Sequence, residues 1–86
     1  MPEICRFLGI VIKMFFDEHN PPHFHAIYGS HSAAISIDSL KILEGSLPPR
    51  ILGLVAEWAS EHRKELEDNW KRREKGLDLK KIKPLV

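Results

Sequence analysis

The sequence predicts an α+β domain: a small antiparallel β-meander of three to four strands packed on one long C-terminal helix, with an extended basic tail. Three observations carry this expectation. Up to about residue 43 apolar residues recur with period two, from residue 49 they recur at three- and four-residue steps, and past Gly76 both periods lapse in a lysine-rich stretch containing Pro84. Eighty-six residues, 43% hydrophobic and 29% charged, support one modest core and no division. Residues 1–86 therefore read as a single domain, with the meander over 1–45, the helix over 46–76 and the tail over 77–86.

The chain opens on Glu3-Ile4-Cys5-Arg6 and an apolar run over 7–16 broken by Lys13. Such a run is shorter than the roughly 20 apolar residues of a membrane span, and no small-residue cleavage site follows it. The expectation is a cytoplasmic protein without a membrane partner. Cys5 is the single cysteine, which excludes an internal disulfide and any cysteine-based zinc cage. From Gly9, Ile10, Ile12, Met14 and Phe16 alternate with Val11, Lys13 and Phe15, which predicts a strand over 9–16 with apolar residues on both faces.

A corner follows. Asn20-Pro21-Pro22 cannot extend a ladder, because proline donates no hydrogen bond and fixes its own φ. Beyond it His23, Phe24, His25, Ala26, Ile27 and Tyr28 form a second strand, on which His23 and His25, two apart, share one face. Gly29-Ser30 supplies a hairpin turn, and Ala33, Ile35 and Ile37 alternate with Ser32, Ala34, Ser36 and Asp38 in a half-buried third strand. Asp38-Ser39 turns the chain into a short fourth strand over 40–43, ended by Gly45.

The helix is expected over 49–75, with Pro48 and Pro49 in its first turn, Ser46 near its cap and Gly76 as its stop. Its length would be roughly 40 Å. Ile51, Val55, Trp58, His62, Leu66 and Trp70 make the buried stripe, with Glu65 and Asn69 at its margin. Trp58, His62, Glu65, Asn69 and Trp70 are thus candidate core or interface residues. His62 is expected to be a core histidine bonded to a backbone carbonyl, and Trp70 to reach beyond the cover of the sheet.

Net charge is +1, yet residues 71–86 sum to +5 and residues 1–70 to −4. Lys71, Arg72, Arg73, Lys75, Lys80, Lys81 and Lys83 are therefore candidate nucleic-acid-binding residues on a basic arm facing RNA or DNA. The alternative is a solvated tail.

Cys5-Arg6-Phe7-Leu8-Gly9-Ile10-Val11-Ile12, His19-Asn20-Pro21-Pro22-His23-Phe24-His25-Ala26, Glu57-Trp58-Ala59 and the spacing from Glu65-Leu66 to Asn69-Trp70 resemble the family called domain of unknown function 4160. The resemblance runs nearly end to end. It implies a small bacterial protein encoded beside a partner of the domain of unknown function 2442 type, the two forming a toxin-antitoxin-like pair. It brings no catalytic residue.

Three functions fit the residues. The first is a protein-protein interaction module, working as a homo-oligomer or with a neighbouring-gene partner, because a strand apolar on both faces cannot be covered by one helix. The competing arrangement has Leu79, Ile82 and Leu85 folding back to complete a monomer. The second is a metal site of His19, His23 and His25, completed by Asp17, Glu18 or water, since neutral imidazoles suit Zn, Ni or Fe. The third is metal-independent RNA cleavage, with His23 and His25 as catalytic candidates and Lys13, Arg6 or Arg50 on the phosphate.

Overall fold

The computed structural model describes residues 3–86. Five strands, β1 (Glu3–Phe7), β2 (Ile10–Lys13), β3 (His23–Tyr28), β4 (His31–Ser36) and β5 (Ile42–Ser46), are followed by α1 (Pro49–Glu61) and α2 (Arg63–Glu74). Each strand pairs antiparallel with the next, giving the sheet order β1-β2-β3-β4-β5. The architecture is α+β with a meander, but there are five strands where three to four were expected, and two helices where one was.

The extra strand is β1. Its hairpin to β2 has a two-residue loop, Phe7 pairing with Ile10, and both loop residues take positive φ, 51° at Leu8 and 79° at Gly9. Such a turn normally calls for Asn-Gly, so a leucine in the first position hides it inside an apolar run. The register also shifts between Glu3 and Cys5, which turns both Ile4 and Cys5 inward and breaks the alternation. At the other edge Gly45 does not end a strand but lies within β5, opposite Ala33 with φ +82°.

Core-facing positions match across the sheet: Phe7, Ile10 and Tyr28 lie in one row, Cys5, Ile12, Ala26 and Ala33 in the next, with Phe24 and Ile35 paired beyond. Ile51, Val55, Trp58 and Ala59 of α1 are buried in the same core, where Trp58 lies 5.8 Å from Phe7 and 6.0 Å from Phe24 between ring centroids. The cap of α1 is Pro48, without a side-chain hydrogen bond, so Ser46 plays no part there.

The helical period runs unbroken through the junction between α1 and α2, which is why the break was invisible in the sequence. A straight helix of roughly 40 Å would overrun a molecule whose longest extent is 34 Å. His62 interrupts it, with φ −121° and ψ 25°, ending α1 and capping α2. Its Nδ1 lies 2.6 Å from Glu65 Oε1 and its ring 5.6 Å from Trp58, so its partner is a carboxylate and not the expected backbone carbonyl. Arg63 donates to the carbonyl of Ile37 at 3.2 Å, holding the start of α2 against the end of β4.

Because of the break, Trp70 is not left beyond the sheet: it is 4% exposed, under Arg73 and beside His23. Gly76 stops α2 as expected. It takes φ +71°, while Gly76 N–H donates to Arg73 O and Leu77 N–H to Arg72 O.

The tail over 77–86 is extended but docked. Asn69, 1% exposed, donates to Lys80 O and accepts from Lys80 N–H, the Trp58 indole donates to Lys83 O, and Ile82 N–H donates to Ile4 O on the edge of β1. Ile82 belongs to the core, and Leu79 and Leu85 pack against it.

Candidate metal centre

The site is built where β2 hands over to β3. Met14 anchors the departing chain in the core, and the loop over 14–22 returns through a cis Asn20-Pro21 bond to His23. His23 and His25 lie on one face of β3, their ring centroids 5.2 Å apart. Between them the loop lowers Glu18. His25 Nε2 lies 2.5 Å from Glu18 Oε1 and His23 Nε2 lies 3.2 Å from Glu18 Oε2.

The tautomer of His23 follows from its other nitrogen. Nδ1 lies 2.8 Å from the carbonyl of Pro21, and a carbonyl only accepts, so Nδ1 carries the proton and donates. His23 Nε2 faces a carboxylate oxygen, and in the neutral ring it would do so with its lone pair. Two electron-rich atoms at 3.2 Å need a cation between or upon them, either a proton or a metal ion.

The packing around the rings is aromatic. Phe15 meets His25 edge-on at 4.9 Å, and Trp70 lies 5.4 Å from His23. Arg73, on the next turn of α2, lies over Trp70 at 3.8 Å and donates through Nη1 to Phe16 O at 2.8 Å and Glu18 O at 3.2 Å. Burial works against ionisation of Glu18, but the hydrogen bond from His25 and the attraction of both imidazoles outweigh it, holding the carboxyl below its ordinary value.

Glu18, His23 and His25 are the group of three whose ligating atoms all lie within 4.8 Å of one another. Two atoms bound at about 2.1 Å to one ion, at tetrahedral or octahedral angles, lie about 3.0–3.4 Å apart. The His23 pair already has that spacing, and the His25 pair must open by about half an ångström. Glu18 and His25 keep 22% and 26% of their side-chain surface in solvent, so an ion here would retain open positions. A shallow groove lined by Ser32, Ala33, Ala34, Glu44 and Gly45 has His25 at its margin.

Other candidates are dispersed. His19 is exposed and stands outside the three. His31 pairs with Tyr28, at the opposite end of β3 from His23, and His62 belongs to the helical layer. Arg6 is held by Glu3 at 2.9 Å, and Arg50 lies in the first turn of α1. Of the basic set, Lys71, Lys75, Lys80, Lys81 and Lys83 are exposed, Arg72 is half-buried with Nε on the carbonyl of Asp78, and Arg73 is buried beneath the loop. Reading charge alone put Arg73 on the arm. Its place in the helical stripe, three residues after Trp70, was the signal that it faces inward.

A five-stranded meander backed by two helices, with two imidazoles and a carboxylate converging at the start of its middle strand, defines a small α+β protein with a candidate cation site. The chain belongs to the family described as Domain of unknown function (DUF4160), whose profile matches residues 9–71 and so takes in Glu18, His23 and His25. Neither a curated protein nor a solved structure matches the chain. Among the described residues no helix is long and apolar enough to cross a membrane.

Proposed function

We propose that the protein binds one divalent transition-metal ion through Glu18, His23 and His25. The observation that carries this is the approach of His23 Nε2 and His25 Nε2 to the two oxygens of one carboxylate, at 3.2 and 2.5 Å, with His23 Nδ1 committed to the carbonyl of Pro21. A backbone carbonyl on the far nitrogen is the arrangement that orients metal-binding histidines. Two imidazoles with one carboxylate suit Zn, Ni or Fe(II) over Mg or Ca, and three ligands from one side leave positions for water or substrate. Held by Glu18, His23 and His25, such an ion would supply Lewis acidity and would lower the pKa of a bound water. Metal-independent RNA cleavage has less support, since both imidazoles approach the same carboxylate and do not straddle a gap.

Elemental analysis of the purified protein, followed by zinc titration, tests this. One equivalent is expected in the wild type, with loss of binding in Glu18→Ala and His25→Ala. Failure of the folded wild type to take up zinc, nickel or iron would end it.

A second reading rests on the sheet's edges. Among the described residues β5 has no strand on its outer side, while the opposite edge, β1, meets the tail through one backbone–backbone bond, from Ile82 to Ile4. Leu43 on β5 is 48% exposed. An open edge of this kind takes an added strand. This supports the interaction-module function, in which a second copy or the neighbouring-gene partner of a toxin-antitoxin-like pair docks in the cytoplasm. Co-expression with the neighbouring gene product and light scattering test it: a monomer that captures nothing ends that reading.

A further inference from the structure

Arg73 is a buried cation with no carboxylate within ion-pair distance among the described residues. It is 8% exposed, and its Nε has no partner. Burying a guanidinium this way is costly, and a leucine or methionine in the same stripe would avoid the cost. What Arg73 does instead is hold two places at once. Nη1 grips the carbonyls of Phe16 and Glu18, and the guanidinium plane lies over Trp70, which in turn lies beside His23. The loop that carries the carboxylate meets this side chain directly, and the strand that carries the first imidazole meets it through Trp70, although Arg73 arrives from α2 more than fifty residues later in the chain.

We infer that Arg73 is the positioning residue of the Glu18, His23 and His25 centre, setting the height of the Glu18 carboxylate over the two imidazoles. The inference rests on the metal-binding reading and adds its orienting element. Carbonyls accept from a planar fork in fixed directions, so an arginine locks the loop where a flexible ammonium does not. Phe16 and Glu18 flank the turn from which Glu18 descends, so releasing their carbonyls frees the carboxylate to move away from His25.

The test compares Arg73→Met and Arg73→Lys with the wild type and with Asn69→Ala. Asn69 is buried on the same helix, but its side-chain hydrogen bonds go to the tail at Lys80. Zinc affinity is measured by chelator competition, cobalt(II) geometry by absorption, and the Glu18–His25 contact of the metal-free protein by nuclear Overhauser effect. Arg73→Met is expected to weaken zinc binding about 10- to 100-fold, the range for groups that orient a ligand, to change the cobalt spectrum and to lose the contact. Arg73→Lys, which keeps one donor, should fall between and serves if Arg73→Met does not fold. Asn69→Ala should lose stability with zinc affinity unchanged. Wild-type affinity and an intact contact in both Arg73 variants overturn the inference. If the wild type itself takes no metal, the binding reading fails, while the contact in the metal-free variants still decides whether Arg73 positions Glu18.

Discussion

His25 Nε2 and Glu18 Oε1 lie 2.5 Å apart, joining the middle strand to a loop residue seven positions earlier. That contact makes stability depend on the charge of Glu18. The carboxyl is held below its ordinary value of 4.5, so its ionised form is favoured by folding. A group depressed in this direction contributes stability that is fully present above the unfolded value and is lost as pH falls through the folded value. The stability difference between wild type and Glu18→Gln should therefore shrink as pH falls below about 5. Urea titrations at several pH values between 7 and 3 measure this, and a difference that grows with acid would contradict the assignment.

Metal release should follow the same direction. Protons compete with an ion for both imidazoles and for the carboxylate, so zinc affinity falls on acidification and binding releases protons to the buffer. Calorimetry in two buffers of different ionisation enthalpy reads the proton count. A zinc affinity that does not fall on acidification from pH 7 to pH 4 would mean that these residues are not the ligands.

The hairpin between β1 and β2 holds a residue unsuited to its place. Leu8 has φ 51° and is 56% exposed, so its backbone is in a conformation L-residues avoid, with little side-chain packing in return. Leu8→Asn creates the Asn-Gly pair that such turns favour, with an expected gain of about 1 kcal/mol. For a chain of this size that raises the melting temperature by about 4–8 °C. An unchanged or lower melting temperature would show that Leu8 packs usefully.

Gly45 is the converse case. A Cβ on it would collide with the carbonyl oxygen of Ser32, and its φ of +82° already disfavours any side chain. Gly45→Ala should open the β4–β5 ladder and cost at least about 1–3 kcal/mol. Hydrogen exchange should speed up at β4 and β5 while β1 and β2 stay protected.

What the sequence disclosed and what it hid have physical causes. Period two exposed β2, β3 and β4, and proline, glycine and the helical stripe bounded the α-region, because each is a local preference. The first strand was concealed by a leucine in a glycine-like conformation and by a bulge that turned Ile4 and Cys5 to the same side. The break at His62 cost the stripe no register, so periodicity had nothing to report. In the site, His23 and His25 were legible from strand period alone. Glu18 stood only among several possible fourth ligands, since its position depends on Arg73, far along the chain. Charge counting misread Arg73 itself, because composition does not distinguish a guanidinium held by carbonyls from one in water.

The tail gives the last prediction. Its charge suggested an arm for nucleic acid, and Lys80, Lys81 and Lys83 do face solvent. Its backbone, however, is fastened by Asn69 at Lys80, by Trp58 at Lys83 and by Ile4 at Ile82, and Ile82 is 4% exposed. Burying one isoleucine contributes about 1.5–3 kcal/mol, and each net hydrogen bond adds about 1. Removing residues 77–86 should thus cost roughly 3 kcal/mol or more, and a truncated chain would confuse lost folding with lost binding. Charge-removing changes at Lys80, Lys81 and Lys83 to Gln keep these three fastenings, give up only the exposed bond from Lys81 Nζ to Glu3 O at 2.9 Å, and remove charge from the arm. Stability should stay within about 0.5 kcal/mol of wild type, while any RNA retention should weaken and lose salt dependence. Arg73→Lys keeps its charge under the loop and should leave RNA retention unchanged. If instead it lowers retention as much as the three lysine changes do, Arg73 reaches solvent and the packing described for it is wrong.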